Sequence, residues 1–377
     1  MADFKDELSP ALVRSVADDL ARAWDGFDGE RFVALATAGL DAFAMKARIR
    51  HIAAALAACM PDDAHDAADV VRAALAADGL DGWASLPVDE YVAVTMIDEP
   101  DLGLGLLADL TSRFTAEFAV RAFVEQRYDV TMRRLSAWTT HPDEHVRRLV
   151  SEGTRPRLPW GQRLTCFVED PAPALWLLEE LFDDESLYVR RSVANHLNDV
   201  SKDHPGLARA TARRWAAAST HGDFVARHGL RTLVKQGDPE ALRILGVDTE
   251  AVVDVDGMRC SPSEIEIGDE VTFEIALTAE AATRAVVDYV VHYQGANGPK
   301  AGKVFKLSVR DLAAGEPVVL TRRHRFAHVA SRRIRPGVHR IEVQVNGRVR
   351  AAVEVVVTEG TPAGPAYDPR RRREERA

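Results

Sequence analysis

The chain has 377 residues, of which 46% are hydrophobic and 28% charged, as in a globular protein with room for two or three domains. Residues 1–7 lack a basic stretch followed by an apolar core, and no apolar run approaches the roughly eighteen residues of a membrane span, so neither a secretory signal nor a membrane segment is expected. The three cysteines, Cys59, Cys166 and Cys260, form no CxxC pair, which argues against a disulfide framework or zinc cage and favours a reducing cytoplasm.

The net charge of −10 is distributed unevenly along the chain. Residues 1–110 contain 8 Lys and Arg against 21 Asp and Glu, whereas residues 111–248 contain 20 against 19 and the remainder 20 against 18. This acidity argues against binding of polyanions by the whole surface. It leaves room for a local groove lined by arginine, whose planar guanidinium suits phosphate oxygens.

Residues 1–247 are predicted to form a helical domain. Segments 11–24, 43–60 and 114–127 are rich in Ala, Leu and Arg, with apolar residues at three- and four-residue spacing. Clusters of Pro, Gly and Asp separate such segments and predict the turns between helices.

An internal repeat predicts how these helices are organised. Residues 141–148 resemble residues 184–191, and residues 221–227 are a weaker third copy; each has an acidic turn followed by Val-x-Arg. The intervals of 43 and 36 residues are typical of HEAT-type helical pairs, which stack into a curved solenoid with a concave face. The arginines that end the three copies share one register and are expected along one ridge: Arg148, Arg191 and Arg227.

After Gly246 the pattern changes to short strands. The segments rich in Val, Ile, Phe and Tyr are 270–278, 285–294, 303–310, 318–327, 339–346 and 348–357. The Asn346-Gly347 pair between the last two is a hairpin signal. Residues 248–360 are therefore predicted to form an antiparallel immunoglobulin-like sandwich, and residues 361–377 a disordered, highly charged tail.

The most distinctive run is SEGTRPRLPWG at residues 151–161, which follows WTTHP at residues 138–142. It resembles the AlkC-type DNA glycosylases of the HEAT-like-repeat alkylpurine glycosylase superfamily. The stretch KARIRHI from residue 46, DYVVHY from residue 288 and KVFKL from residue 303 also fit, so the resemblance extends over nearly the whole chain.

The resemblance implies an activity, a substrate and a partner. Such an enzyme is a monofunctional glycosylase that removes cationic N3-methylated bases, chiefly 3-methylcytosine and 3-methyladenine, from duplex DNA and so initiates base excision repair. It acts without extruding the lesion, without a metal or organic cofactor, and by default as a monomer. The C-terminal sandwich is expected to help encircle the duplex.

This chemistry requires particular side chains. The positive charge of the methylated base already weakens the glycosidic bond, so the enzyme must stabilise an oxocarbenium-like sugar and position a water. Carboxylates do both, and an electron-rich indole face does the first. Carboxylates and a tryptophan among phosphate-binding arginines are therefore the expected set.

Five catalytic candidates follow, mostly through the resemblance. It assigns Glu152 as the water-positioning carboxylate, whereas spacing alone suggests an exposed i,i+4 ion pair with Arg148. Trp160, on a Pro-Trp-Gly loop, is expected to pack against the deoxyribose or the lesion, although a lone Trp is more often a core residue. Asp199 and Glu117 are catalytic candidates through the resemblance. Without it, each would be interpreted as an ordinary solvent-facing helix residue. Arg148 is expected to hold Glu152 ionised or to contact a phosphate.

Phosphate contacts are predicted for four arginines and, from the sandwich, two lysines. Solvated surface charge is the ordinary explanation for any one of them. They are Arg155, Arg157, Arg191, Arg227, Lys303 and Lys306.

Two other functions compete with the glycosylase. A helical solenoid with a sandwich also suits a non-catalytic scaffold that binds protein or DNA, since fold does not fix function. The sequence HPDEH at residues 141–145 matches an inverted zincin pattern. However, Pro142 is expected at the first helical position, which leaves His141 at the cap, outside the helix, and makes zinc binding a poor fit.

Overall fold

The computed structural model describes residues 4–296, 298–329 and 332–359. The chain divides into two compact units, one ending at Gly229 and the other beginning at Leu230. The charged tail predicted at residues 361–377 lies outside the described residues.

The first unit is helical. Short 3-10 helices cover Phe4–Glu7, Leu40–Ala42 and Gly82–Ala84. Its α-helices are α1 (Pro10–Ala23), α2 (Gly29–Thr37), α3 (Met45–Ala57), α4 (Ala64–Ala76), α5 (Ser85–Thr95), α6 (Pro100–Leu110), α7 (Val120–Gln126), α8 (Tyr128–Trp138), α9 (Glu144–Gly153), α10 (Thr165–Glu169), α11 (Ala172–Glu179), α12 (Leu187–Asp203), α13 (Pro205–Ala218) and α14 (Thr220–Gly229).

Local sequence explains where several of these helices begin. Ser9 caps α1 by accepting a hydrogen bond from the backbone of Leu12, with Pro10 in the first helical turn. The helix predicted over residues 114–127 is wrong in its first half, because α7 begins only at Val120. The preceding residues form turns in which the Thr115 hydroxyl donates to the Glu117 carboxylate, and such local side-chain bonds compete with helix formation.

The internal repeat is a structural repeat of capped helices. Asp143 caps α9 and Ser186 caps α12, each through a side-chain oxygen that accepts a backbone N–H two residues later. Arg147 in α9 and Arg190 in α12 both donate to the carbonyls five and six residues earlier, so each repeat fastens its helix to the preceding turn. Because α9 begins at Glu144, the expectation that Pro142 opens the helix is wrong.

The second unit combines two short helices with β-sheets. Its elements are α15 (Arg231–Lys235), α16 (Pro239–Ile244), β1 (Val253–Ser261), β2 (Glu264–Glu266), β3 (Glu270–Ala279), β4 (Thr283–His292), β5 (Gln294–Gly295), β6 (Gly298–Pro299), β7 (Lys303–Leu312), β8 (Val318–Arg325), β9 (Gly337–Val345) and β10 (Arg348–Thr358). One sheet has the order β1-β3-β8, a second has the order β2-β10-β9-β4-β7, and β5 pairs with β6. Alternate side chains of the two larger sheets, including Phe273, Tyr289 and Ile341, form one buried core, as in an immunoglobulin-like domain.

Two glycine-containing segments of the sheets have positive φ angles, one in the last hairpin and one in the first strand. Asn346 and Gly347 both have positive φ, 49° and 80°, which is the type I′ geometry that an Asn-Gly pair favours between β9 and β10. Strand β1 was not predicted because Gly257, with φ of 73°, lies at a register shift against β3 that interrupts its alternation.

The division between the units falls earlier than the boundary predicted at residue 247. Helices α15 and α16 belong with the strands. Gly237, between these two helices, approaches the β9–β10 turn so closely that a Cβ on it would lie 2.8 Å from the carbonyl oxygen of Gly347. The Asn346 amide also donates to the Asp248 carbonyl at 3.0 Å, which fixes the segment after α16 to the same turn.

Candidate nucleic-acid and catalytic site

Glu152 lies near the end of α9 and is 6% exposed, not on the open surface that an i,i+4 ion pair alone suggests. Arg155 Nη1 lies 2.6 Å from Glu152 Oε1, and the Ser192 hydroxyl donates to Oε2 at 2.6 Å. Arg148 Nη2 is 3.8 Å from Oε1. Two cations and a hydroxyl therefore surround this carboxylate, and a donor lies within hydrogen-bond distance of each of its oxygens.

Arg155 connects Glu152 to the next repeat. Its Nε donates to Asp199 Oδ2 at 2.8 Å, while Lys202 Nζ donates to Asp199 Oδ1 at 2.8 Å. Burial lowers the pKa of Arg155, but Glu152 and Asp199 outweigh this effect and raise the pKa above its ordinary value. Because Arg155 is buried between two carboxylates, its position does not suit the phosphate contact predicted for it, and we reassign it to positioning these carboxylates.

Glu117 extends the arrangement on the other side. Arg148 Nη1 lies 2.6 Å from Glu117 Oε2 and donates to the Thr115 hydroxyl at 2.9 Å. The Arg148 guanidinium also lies over the Tyr188 ring, 5.3 Å from its centroid. Acidic and basic side chains thus alternate in a row that we call the charge ladder: Glu117, Arg148, Glu152, Arg155, Asp199 and Lys202.

Accessibility differs along the charge ladder. Asp199 is 1% exposed and is covered by Arg155 and Lys202, whereas the side chains of Glu117 and Glu152 retain a little accessible surface. In this conformation Asp199 is closed to solvent and pairs with Arg155 and Lys202.

Trp160 is 53% exposed and is not a core residue. Its backbone has φ of 61°, a left-handed conformation that is uncommon outside glycine and that concentrates at functional sites. Its ring packs edge-on against Phe4 at 5.5 Å between centroids, and Phe4 stacks on Trp83 at 5.9 Å. An aromatic row therefore supports one side of the indole while much of it remains open.

Arg121 joins Trp160 to the charge ladder and was missed by sequence reasoning. This buried guanidinium donates to the backbone oxygens of Gly153 and Arg155, at 2.9 and 2.8 Å, and also to that of Gln162. It thereby fixes both ends of the loop that carries Trp160. Burial lowers the pKa of Arg121 to about 10, so it remains a cation near neutral pH. Its only signal in the sequence is an arginine among apolar helix residues. An ordinary solvent-facing arginine gives the same signal.

Gly153 lets α9 approach α7 closely. A Cβ on Gly153 would lie 2.4 Å from Val120 Cγ1. The glycine after Glu152 is therefore required by packing, and it keeps the charge ladder against the helix that carries Arg121.

Known proteins resemble this chain in sequence and in overall structure. Residues 254–359 match the family model described as the C-terminal Ig-like domain of the uncharacterised protein YhaZ. YhaZ of Bacillus subtilis (strain 168) is 32% identical over 358 residues, which is 95% of this chain and 100% of YhaZ. The solved structure of Pseudomonas fluorescens alkylpurine DNA glycosylase AlkC, bound to DNA containing an abasic site analog, has a TM-score of 0.91 and 34% identity, covering 95% of this chain and 100% of AlkC.

This chain belongs to the family of AlkC and YhaZ. The resemblance inferred from residues 151–161 is confirmed, as is the predicted fold class, a helical-repeat region followed by an immunoglobulin-like β domain. In this member of the AlkC and YhaZ family, the charge ladder and Trp160 both belong to the helical-repeat unit.

The helical-repeat arginines predicted to bind phosphate have different surroundings in this AlkC and YhaZ family member. Arg157 is half-buried and makes a bidentate pair with Asp203 at 2.6 and 2.7 Å. Arg227 pairs with Asp223 at 2.7 Å. Arg191 is exposed, and none of the described residues gives it a hydrogen bond or an ion pair.

The two sandwich lysines also differ. Lys306 Nζ is 2.9 Å from Asp288 Oδ1, so an acidic neighbour already compensates its charge. Lys303 is exposed and lies over the Phe305 ring at 5.5 Å. Partial burial of its ammonium group, and then the charges of Arg332 and Lys235, lower the pKa of Lys303.

A second set of residues missed from sequence lies between α9 and α12. The Ser151 hydroxyl donates to Ser192 Oγ at 2.7 Å, and Ser192 in turn donates to Glu152. His196 is fully buried, and burial lowers its pKa to about 4. Its ring is therefore neutral near pH 7 and donates from Nδ1 to the Ser151 carbonyl at 2.9 Å. These polar groups fix the helix pair that holds the charge ladder.

The first histidine of the HPDEH segment does not lie on the helix that follows it. His141 lies outside α9, and its Nδ1 accepts a hydrogen bond from the Asp143 backbone at 3.1 Å. Among the described residues, no three His, Cys, Asp or Glu side chains are grouped as metal ligands are, and no helix has the length and apolarity to cross a membrane.

Proposed function

We propose that this member of the AlkC and YhaZ family is a DNA glycosylase that hydrolyses the N-glycosidic bond of alkylated bases in duplex DNA. The near full-length similarity to AlkC, whose structure contains DNA with an abasic site analog, supports this activity. The single observation that carries the proposal is the setting of Glu152, an acid whose two oxygens contact Arg155 and Ser192 and which Arg148 also approaches. A scaffold protein does not require a buried carboxylate with these partners in the same unit as an open indole.

The finer proposal concerns the substrate. The bases are cationic N3-methylated ones, 3-methylcytosine and 3-methyladenine. Their ring already carries a positive charge, which the bonding electrons neutralise as the base leaves. No strong acid is therefore needed to protonate the leaving group. The lesion stays in the duplex, and the protein acts on the deoxyribose from the groove.

Each main side chain has a role in this reaction. As the bond from C1′ to the base breaks, its electron pair leaves with the base and positive charge develops on the sugar. Glu152 stabilises that charge, accepts a proton from water and directs the oxygen to C1′, leaving an abasic site. Trp160 packs its electron-rich face against the sugar or the lesion. Glu117 and Arg148 orient Glu152, and Asp199 orients Arg155.

A duplex with one 3-methylcytosine tests this activity. We expect release of the base, measured as strand cleavage that appears only after alkaline treatment, because a water nucleophile leaves the abasic strand intact. The matched undamaged duplex should give no cleavage. Binding of both duplexes without any alkali-labile product would instead identify a scaffold.

Arg191 is proposed to bind a DNA phosphate, because it is the exposed arginine of the central repeat. We expect Arg191→Ala to weaken binding to lesion and undamaged duplexes equally, and to reduce the slope of log affinity against log salt by about 0.9, the value for one phosphate contact. Equilibrium binding at several salt concentrations measures both effects.

The control for this experiment is Arg14→Ala, which removes an exposed arginine of α1, outside the three repeat copies. It should leave both affinity and salt slope near the wild-type values. If Arg191→Ala weakened binding only to the lesion duplex, the arginine would read the damage, and its assignment to a phosphate would be wrong.

A further inference from the structure

A cavity of about 390 Å³ lies beside Trp160 in the helical-repeat unit. Its walls come from α3, α5, the residues around the start of α7 and the loop of Trp160. Much of the lining is apolar, including Ile49, Leu86, Val94 and Phe118. The size is within the range of about 300–1,000 Å³ that is typical of pockets for small molecules.

Asp89 is a buried carboxyl group in the wall of this cavity. It is 3% exposed, and neither of its carboxyl oxygens has a hydrogen-bond partner among the described residues. The residues three before, one after and four after it on α5 line the same cavity, so Asp89 lies at the centre of that helix face. Burial, and then the charges of Glu117 and Glu90, raise the pKa of Asp89 well above its usual value.

A buried carboxyl group without partners is costly. An unsatisfied buried polar group lowers the stability of the fold, and most buried polar groups in proteins have a partner. A ligand that enters the cavity and pairs with Asp89 would remove that cost. A neutral carboxyl group offers one O–H donor and one carbonyl acceptor side by side.

The complementary ligand is a flat ring with an acceptor nitrogen next to an exocyclic amino group. Adenine has this amidine edge at N1 and N6, which are attached to one carbon as the two oxygens of a carboxyl group are, and a methyl group on N3 leaves the edge free. The N6 and N7 pair is more widely spaced and matches a carboxyl group less well. In 3-methylcytosine the methyl group occupies the ring nitrogen of the corresponding edge. The cavity therefore suits 3-methyladenine and disfavours 3-methylcytosine, while its apolar walls suit the faces of the ring.

The cavity adjoins the proposed catalytic residues. Trp160 and Thr115 both line it, and Thr115 hydrogen bonds with Glu117 and Arg148 of the charge ladder. A base released at the charge ladder thus has a neighbouring site to enter.

We propose that this cavity binds the free purine base after its release, and that the Asp89 side chain, whose two oxygens are closed to solvent in this conformation, turns to hydrogen bond with the amidine edge. The inference rests on the proposed glycosylase function and adds a product site to it. The base enters only after its bond to the sugar has broken, in keeping with attack on a lesion that remains in the duplex.

Equilibrium dialysis of the full chain against two isomeric free bases tests the proposal without any DNA. 3-Methyladenine has an open N1–N6 edge, whereas 1-methyladenine has the same composition with a methyl group on N1. We expect 3-methyladenine to bind at least about tenfold more tightly, the difference given by the loss of about two hydrogen bonds. Equal binding of the two isomers, or binding of neither, would overturn the proposal.

Two substitutions of Asp89 sharpen the test. Asp89→Leu removes both hydrogen-bonding atoms and should weaken 3-methyladenine binding by about tenfold or more. Asp89→Asn keeps a donor beside an acceptor and should bind within a few-fold of wild type. Thermal unfolding checks both variants, and the leucine variant should fold because it replaces an unsatisfied polar group with an apolar one. If asparagine lost binding as leucine does, or leucine kept it, Asp89 would not be the recognition group.

Failure of the cavity proposal in the dialysis experiment can be distinguished from failure of the glycosylase proposal in the base-release assay. A protein that binds 3-methyladenine selectively but releases no base from alkylated DNA would retain the cavity proposal and refute the enzymatic one. A protein that releases bases but does not discriminate the two isomers would do the reverse.

Discussion

Glu152→Gln is expected to lower the rate of base release from a 3-methylcytosine duplex by about 100- to 1,000-fold, the size of effect seen when one preorganised electrostatic group is removed from an active site. The substitution keeps the shape of the side chain. The amide oxygen can still accept from Arg155, and the Ser192 hydroxyl can accept from the amide nitrogen in place of donating. The lost quantity is the negative charge, which the developing sugar cation requires. Single-turnover kinetics with excess enzyme measure the chemical step without product release.

The matched control is Glu169→Gln, which removes the charge of an exposed glutamate on α10. It should leave the rate within about twofold of wild type, as expected for a surface substitution remote from the site. DNA affinity should be unchanged or slightly higher for Glu152→Gln, because a negative charge near the backbone is removed. A Glu152→Gln variant with full activity would refute the catalytic assignment and leave the charge ladder as a structural feature.

Local patterns explain why much of the fold was predictable. Helix α1 has a serine cap, a proline at its start and a regular apolar spacing, and all three depend only on neighbouring residues. Residues 146–148 and 189–191 share the sequence Val-Arg-Arg because two requirements recur in α9 and α12, a buried valine and, directly after it, an arginine that binds the preceding turn. The Asn346-Gly347 hairpin follows from the backbone conformations that these two residues tolerate.

The candidate site was only partly predictable, because its geometry depends on contacts between distant residues. Arg155 and Asp199 are 44 residues apart, and nothing near Arg155 in the sequence distinguishes a buried guanidinium from one that faces solvent. The prediction that Arg155 binds phosphate was based on the preference of arginine for such contacts. In the structure its guanidinium is instead paired with Glu152 and Asp199. Arg121 was missed for the same reason, since its partners are backbone oxygens more than thirty residues away.

Asp89 illustrates a third kind of difficulty. In the sequence it is an acidic residue beside another acid, Glu90, which ordinarily indicates the solvent-facing side of a helix. In the structure α5 is buried over most of its surface, so that side faces a cavity and not solvent. Which side of a nearly all-buried helix meets open space depends on the packing of α3 and α7 against it.

Arg155→Met is expected to lower the free energy of unfolding of the helical-repeat unit by about 3–5 kcal/mol, the range for removal of one partner from a buried ion pair. Methionine fills a similar volume but supplies no charge, so Glu152 and Asp199 lose the cation that lies between them. Urea unfolding followed by circular dichroism at 222 nm measures the effect, since the helical unit dominates that signal.

Arg157→Met is the control that separates the effect of burial on the free energy of unfolding from the effect of losing a positive charge. Arg157 is two residues further along the same loop and makes an equally short pair with Asp203, but about a quarter of its side chain is exposed. Solvent screens such a pair, so its loss should cost about 1 kcal/mol or less. The double variant Arg155→Met/Asp199→Leu should recover part of the stability lost in Arg155→Met, because it also removes an uncompensated buried charge. If Arg155→Met were as mild as Arg157→Met, the charge ladder would not depend on its central guanidinium, and Arg148 and Ser192 would be sufficient to hold the Glu152 carboxylate in place.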